Sequence, residues 1–483
     1  MRKILILLAL AILLCGSAMA AEPKIGWDQI SGTPLNADDY GVVGDGVTDD
    51  YSALNAWATA SGAGDVLYLP PGTYSSSEYL SIPSGVTLTG YGSTLKFPLT
   101  DGLRLTDVDN VTIQGVTLMG NNSTASKNGI RASSTENITL EDVTIYGFSD
   151  RGVYSETGTQ DLTLENCKIS HNGYNPSDVY APGIDIRAST GTETKRIKFF
   201  ANSISHNGGR GININQFNTP NAPHDITVSG CDFTGNQGNV LYISGMYYNT
   251  TYMAYNIVVT GNTLTDNEYD GIDISAAKNV AVSGNAVYDA KIDGINLWCC
   301  RDFSVTGNTV MNCGGPGIMT QGYNATWLTS YGLIDSNVVT NCNLDDYANM
   351  YGIRLYYSQF LKVSNNYVSG SMHDAPIGED AASGCDYNYI LDNFVTGAVS
   401  NNIVTIGAHD NLRATYPSGY TYIGISGTEP KAVIQSAGGV AMIDGMTAPS
   451  AITGYTQIYV DTSDGDLKVK FGDGTTKVIA ADT

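Results

Sequence analysis

The chain has 483 residues, 47 acidic and 24 basic, for a formal net charge of −23. No basic stripe is available to meet phosphates, which argues against a nucleic-acid partner, and an anionic polysaccharide would need local arginine, lysine or a bridging cation. Charged residues are only 15% of the total, while 55 Gly and 31 Tyr favour strands and tight turns over helices.

Residues 1–20, MRKILILLALAILLCGSAMA, join Arg2 and Lys3 to an apolar run and the small residues Ala18 and Ala20. That pattern predicts a cleavable secretory signal peptide and hence a secreted or extracellular protein. The run is too short to span a bilayer, and no later segment is long and apolar enough to do so. The seven cysteines beyond the leader lack metal-type spacing, so neither a zinc site nor a disulfide framework is predicted.

Residues 21–105 are predicted to form the N-terminal cap and first coils. ADDYGVVGDGVTDDYSALNAWATA, Ala37 to Ala60, supplies a Gly-rich turn and then Asp49 or Asp50 as N-cap of a short helix carrying Leu54 and Trp57. GDVLYLPPGTY follows as a first strand and turn. Such a plug is needed because an open coil exposes strand edges.

Residues 106–410 repeat. VTGNTLTDNEYDGIDIS, VSGNAVYDAKIDGINLW and VTGNTVMNCGGPGIMTQ align, with asparagines at Asn262, Asn285, Asn308, Asn337, Asn366 and Asn393, and Asn202, Cys167 and Cys231 at equivalent places. The two cleanest intervals are 23 residues. A repeat this short, built of alternating strands broken by Gly and Asn, predicts an all-β fold, a right-handed parallel β-helix with one coil per repeat. The asparagines are expected to stack as a structural ladder, with a second turn column at Asn172, Asn207, Asn236 and Asn267 giving way to Ala290, Cys313 and Cys342. Cys313 and Cys342, one coil apart, fit either a disulfide or two buried thiols. Residues 411–483 read as a small C-terminal β module with turns at Asp464-Gly465 and Asp473-Gly474.

One strand per coil has the form Gly-aliphatic-x-aliphatic-x, with the x positions outward. The first outward column reads Arg131, Tyr154, Asp185, Asn213, Tyr242, Asp273, Asn296, Met319 and Arg354; the second includes Arg187, Asn215, Ser275, Trp298, Gln321 and Tyr356. Aromatics, amides and charges in such columns suit a glycan groove, and Asp185, Arg187, Arg210, Tyr242, Asp273, Asn296, Trp298, Gln321, Arg354 and Tyr356 are the expected substrate-binding residues. Asp270 and Asp293 stand just before the Gly on adjacent coils and should stack. Two carboxylates that close do not both ionise easily, so the pair is the expected catalytic acid and base.

Ala37 to Ala60 with GDVLYLPPGTY closely resembles the start of the pectate-lyase-like β-helix superfamily. Within the coils, YDGIDI, IDGINL, GGPGIM and YGIRLY fall in the order of the polygalacturonase signature, Asn-Thr-Asp, a double Asp, Gly-His-Gly and Arg-Ile-Lys. That resemblance implies that Asp270 and Asp293 are family carboxylates and Arg354 a substrate-binding arginine; Ile292, Pro316 and Tyr356 depart from it where Asp, His and Lys belong. The leading expectation is therefore a secreted hydrolase of a uronate-containing or pectin-like glycan that needs no cofactor. The alternatives are a polysaccharide lyase or uronan epimerase, with calcium or arginine neutralising the uronate and His224 inviting comparison with epimerases, and a glycan-binding surface protein that cuts nothing. The C-terminal module also offers a route to a homo-oligomer.

Overall fold

The computed structural model describes residues 34–122, 127–174, 181–188, 193–216, 221–246, 252–342, 351–370, 375–380, 384–396 and 403. Beyond these it describes the backbone of short strands between 411 and 460, and residues 466–471 and 473–480. The leader and the Asp464-Gly465 turn lie outside the described residues.

One coil shows how the sequence closes on itself. Ile272–Ser275 runs along one face, the chain bends at Ala276 (φ 48), Ala277–Ser283 forms the second face, and Gly284 (φ 61) turns it into Ala286–Tyr288 on the third. Residue pairing to the next coil is Ile272 to Ile295, Val280 to Phe303 and Val287 to Val310, all parallel and without slip. A one-residue slip would turn the aliphatic set outward, so the inward pattern itself enforces this register. Ile272, Ile274, Ile295, Leu297 and Ile318 are fully buried, each stabilising the coil by roughly 1.5–3 kcal/mol.

The first face is a twelve-stranded parallel sheet: β1 (Leu80–Ser81), β2 (Leu103–Thr106), β3 (Ile130–Ser133), β4 (Val153–Ser155), β5 (Ile184–Ala188), β6 (Ile212–Gln216), β7 (Leu241–Ser244), β8 (Ile272–Ser275), β9 (Ile295–Trp298), β10 (Ile318–Gln321), β11 (Ile353–Tyr356) and β12 (Ile377–Glu379). The protein is thus an all-β parallel solenoid, of about twelve turns among the described residues.

The asparagine ladder forms as expected. Asn308 Oδ1 accepts from the backbone N–H of Asn285 (2.9 Å) and from its Nδ2 (3.0 Å), while Asn308 Nδ2 donates to Val282 O (3.0 Å) and to Asn337 Oδ1 (2.9 Å). The bend's backbone groups are thereby satisfied inside the protein. The second column also bonds coil to coil through Asn172, Asn207, Asn236 and Asn267. It ends there, because Ala290 offers no amide and Asn267 Nδ2 has no partner. Cys313 and Cys342 are buried free thiols.

On the second face a bend column holds left-handed residues on successive coils: Asn256 (φ 56), Asn279 (φ 54), Asp302 (φ 54), Tyr331 (φ 57), Phe360 (φ 58) and Tyr387 (φ 58). Asn and Asp tolerate this conformation, whereas a bulky aromatic there is disfavoured by about 1–2 kcal/mol.

Helix α1 (Tyr51–Thr59) plugs the N-terminal end with Leu54, Trp57 and Ala58 buried, and Trp57 Nε1 donates to Leu35 O at 2.7 Å. Asp50 stands at the N-cap position but makes no capping bond; its carboxylate accepts instead from the N–H groups of Val43 and Gly44, pinning the Gly-rich turn. Asp49 bonds the Tyr51 N–H and Ser77. At the other end, Asn411–Thr415 continues the solenoid sheet parallel to Tyr389–Thr396, and antiparallel strands follow it. Gln457–Val460, Leu467–Lys470 and Thr476–Ala480 form a separate three-stranded antiparallel sheet, with the Asp473-Gly474 turn in place (Gly474 φ 89).

Asn308→Ala removes the shared acceptor and leaves the Asn285 N–H and the Val282 carbonyl buried without partners. Denaturant unfolding should show a loss of about 3 kcal/mol, against little change for Thr309→Ala on the same coil, where the coil below already carries Ala286 in register.

Candidate functional site

Parallel register places the outward residues as the sequence implies. Asp185 pairs with Asn213, Asn213 with Tyr242, Tyr242 with Asp273, Asp273 with Asn296, Asn296 with Met319 and Met319 with Arg354. In the second column Ser275 lies beside Trp298, Trp298 beside Gln321 and Gln321 beside Tyr356. The strip forms a recess rather than a flat face. Asp185, Asn213, Tyr242, Asp273, Asn296 and Met319 are all buried, so the groove is recessed and its polar groups are largely withdrawn from water.

Asp270 and Asp293 meet as predicted. The Asp293 backbone N–H donates to Asp270 Oδ1 at 2.9 Å, and both side chains are buried. Asp273 joins them: Asn239 Nδ2 donates to Asp273 Oδ2 (2.7 Å) and to Asp270 Oδ2 (3.3 Å), and the Ser275 hydroxyl donates to Asp273 Oδ1 (2.9 Å). Asp293 is seated against Gly315, where a β-carbon would come within 2.5 Å of its Oδ1.

Burial governs the charge of this cluster. It pushes Asp270 up to about 6 against the opposing pull of the Asp293 N–H and of Arg210. Asp273 is pushed up to about 7, by burial first and by the charge of Asp270 second. Asp293 is raised well above the ordinary carboxylate range by burial, then by Asp270 and Asp273, with Arg354 opposing. Simultaneous ionisation of the three acids is therefore disfavoured, with burial and the charges of Asp270 and Asp273 both acting against the ionised form of Asp293.

Towards the N-terminal coils the groove is cationic. Arg210 lies 4.1 Å above the Tyr242 ring and donates to Asn213 Oδ1 at 3.1 Å. Asn213 Nδ2 donates in turn to Asp185 Oδ1 (2.6 Å), and Arg151 (2.7 Å) and Arg187 (2.9 Å) both engage Asp185 Oδ2. Asp185, expected to bind substrate, has both oxygens engaged by Asn213, Arg151 and Arg187 and is 1% exposed, whereas Arg187 is about a third exposed. At the C-terminal side Arg354 pairs with Asp380, and the Oδ1 of buried Asn296 has no partner.

Two members escaped the sequence reading. Asn239 aligns with Asp270 on the coil below, but Val240 stands where the marker Gly would be. Asp380 follows the short strand β12, where Gly378 lies beneath the Tyr351 ring. The described histidines lie off the groove: His171 and His206 stack at 5.2 Å, and His224 stacks on Tyr255 at 4.4 Å and bonds Asp225. No cluster of three or more His, Cys, Asp or Glu suited to a metal occurs among the described residues. Within the acid cluster, the oxygens of Asp270 and Asp273 already accept from an amide, a hydroxyl and a backbone N–H.

Residues 82–252 and 218–395 match the model of the right-handed β-helix region. This chain belongs to the right-handed β-helix family. Residues 35–100 of this β-helix protein match a second model, rhamnogalacturonase A/epimerase, pectate lyase-like, in keeping with the N-terminal resemblance. Mannuronan C5-epimerase AlgE5 of Azotobacter vinelandii is 27% identical over 276 residues, 50% of this chain and 26% of that protein, so the match spans about a quarter of the relative. The A-module of mannuronan C-5 epimerase AlgE6 from the same organism superposes with a TM-score of 0.57 at 22% identity, covering 77% of this chain and 98% of the module. PfbA, a surface adhesin of Streptococcus pneumoniae, gives 0.52 at 15% identity, covering 86% and 99%. At these identities the structural likeness shows the fold. The polygalacturonase likeness rests on motif order alone.

A carboxyl group whose folded pKa is raised binds its proton more tightly when folded, so the stability it lends is present at low pH and is lost as pH rises through the folded value. Stability should therefore fall between about pH 4 and pH 7. Asp273→Asn should flatten that slope and raise the melting temperature at pH 8 by a few degrees, read by thermal unfolding across pH.

Proposed function

We propose that this protein acts on a polyuronate, removing the C5 proton of a uronate residue in the groove and returning it with inversion. The observation that carries this reading is the buried Asp270–Asp273–Asp293 cluster, its carboxyl pKa values raised by burial and opposed by two guanidinium groups, Arg210 and Arg354. A C5 proton is removable only if the adjoining carboxylate is neutralised, because the electron pair left behind moves onto that carboxylate. The arginines and a protonated Asp293 supply positive charge and a hydrogen-bond donor for that purpose, and ionised Asp270 supplies the base. Return of a proton to the opposite face gives the epimer; expulsion of O4 leaves an unsaturated end. The similarity to a mannuronan C5-epimerase favours the first outcome. No step is assigned to calcium. Export through the N-terminal leader would bring the protein to extracellular polymers.

A hydrolytic reading keeps support from the same pair, since a neutral Asp293 beside an ionisable Asp270 is also an acid and base for glycoside cleavage. The reactions separate in deuterated water. Incubation with mannuronan or polygalacturonate should put deuterium at C5 without shortening the chain, with or without chelator, as read by NMR. Asp270→Asn and Asp293→Asn should each lower the rate about 10²-fold or more. New reducing ends with no deuterium at C5 would establish hydrolysis and overturn the proposal.

A further inference from the structure

Around the corner from the groove, where coils leave β7 to β11 for the second face, lies a cleft between Met253, Arg301, Trp327, Tyr331, Gln359 and Phe360. Arg301 makes no ion pair among the described residues; its guanidinium reaches only the Met253 sulfur, at 3.9 Å. In a chain of net charge −23, a half-buried guanidinium without a carboxylate is a localised attraction for an anion. Lys278, in register one coil below, lies over the Tyr255 ring at 5.5 Å and extends the cationic edge.

The cleft's wall is equally unusual. Its Tyr331 and Phe360 stack at 5.1 Å, Tyr387 continues the stack beyond the cleft at 5.0 Å, and the three are 56%, 41% and 40% exposed. They occupy the left-handed bend column where lower coils carry Asn256, Asn279 and Asp302. Aromatics there carry backbone strain that Asn and Asp avoid, and although the rings stabilise one another by stacking, much of their apolar surface stays in water. A strained, exposed aromatic ladder beside the Arg301 guanidinium points to a binding role.

We propose that this cleft is a second, non-catalytic site for a uronate residue of a polysaccharide, its apolar ring face against the aromatic wall and its carboxylate on Arg301. The choice of a uronate rests on the polyuronate reading above. Such a site tethers a long polymer beside the groove and raises its local concentration there, whereas a short oligomer gains nothing from the tether.

The test uses the full chain labelled with ¹³C at methionine methyls, with the Met253 signal assigned from Met253→Leu. Addition of a tri-uronate should shift the Met253 signal, and a matched neutral trisaccharide should not. Arg301→Gln should weaken the titration about tenfold. Phe360→Asn, which suits the left-handed backbone and keeps the fold, should weaken it as well. Asp293→Asn should leave it unchanged. A Met253 signal that ignores the tri-uronate, or that moves equally with the neutral sugar, overturns the site. Absence of C5 exchange with the Met253 shift intact sinks the catalytic reading alone, and C5 exchange with no shift sinks this one alone.

Discussion

Parallel hydrogen bonding between successive coils, locked at one corner by a column of carboxamides, determines every other feature of this protein. Each Asn of the column from Asn285 to Asn366 accepts the backbone N–H and the amide of the coil below and donates to the coil above and to a backbone carbonyl. The bend is thereby held without water, and the three faces cannot shift against one another. Because the lock is rigid, residues more than twenty apart in the chain become lateral neighbours at strand spacing, roughly 4.8 Å.

That spacing also explains the chemistry of the groove. Polar side chains standing over one another at strand distance shield each other from water, so a column that would be solvated on an isolated strand becomes buried on a stack. Burial in turn raises the carboxyl pKa values of the acid cluster and withdraws its neighbours from solvent. The inner turn column contributes too, since its amides stop at Asn267 and are followed by Ala290, on the way into Asp293, and by Cys313 and Cys342 on the next two coils. A small apolar residue and two buried thiols there supply no amide to stabilise an ionised Asp293.

Much of this was legible in the sequence, and what was hidden has identifiable causes. Equal 23-residue coils fix the stacking of Asp270 on Asp293, and the Gly-aliphatic-x-aliphatic-x pattern assigns the outward columns. Asn239 was hidden because Val240 erases the glycine that marks the register, and the engagement of Asp185 because its partner Arg151 is 34 residues away. The depth of the groove could not be read either, since burial is a property of neighbouring coils and not of one strand. Asp50 shows the same limit at the plug: composition marked it as a helix cap, but two turn N–H groups compete successfully for its carboxylate.

The coils from Asn262 to Asn285 and from Asn285 to Asn308 have the same length and the same fold, and each presents one aspartate at the same rim position. A tandem duplication of a single coil is therefore sufficient to turn a lone rim carboxylate into an interacting pair, already aligned and already shielded. In an architecture of this kind, two-acid chemistry requires no fresh placement of side chains: gene segments of one repeat unit are the natural increments by which such a site arises, lengthens or disappears.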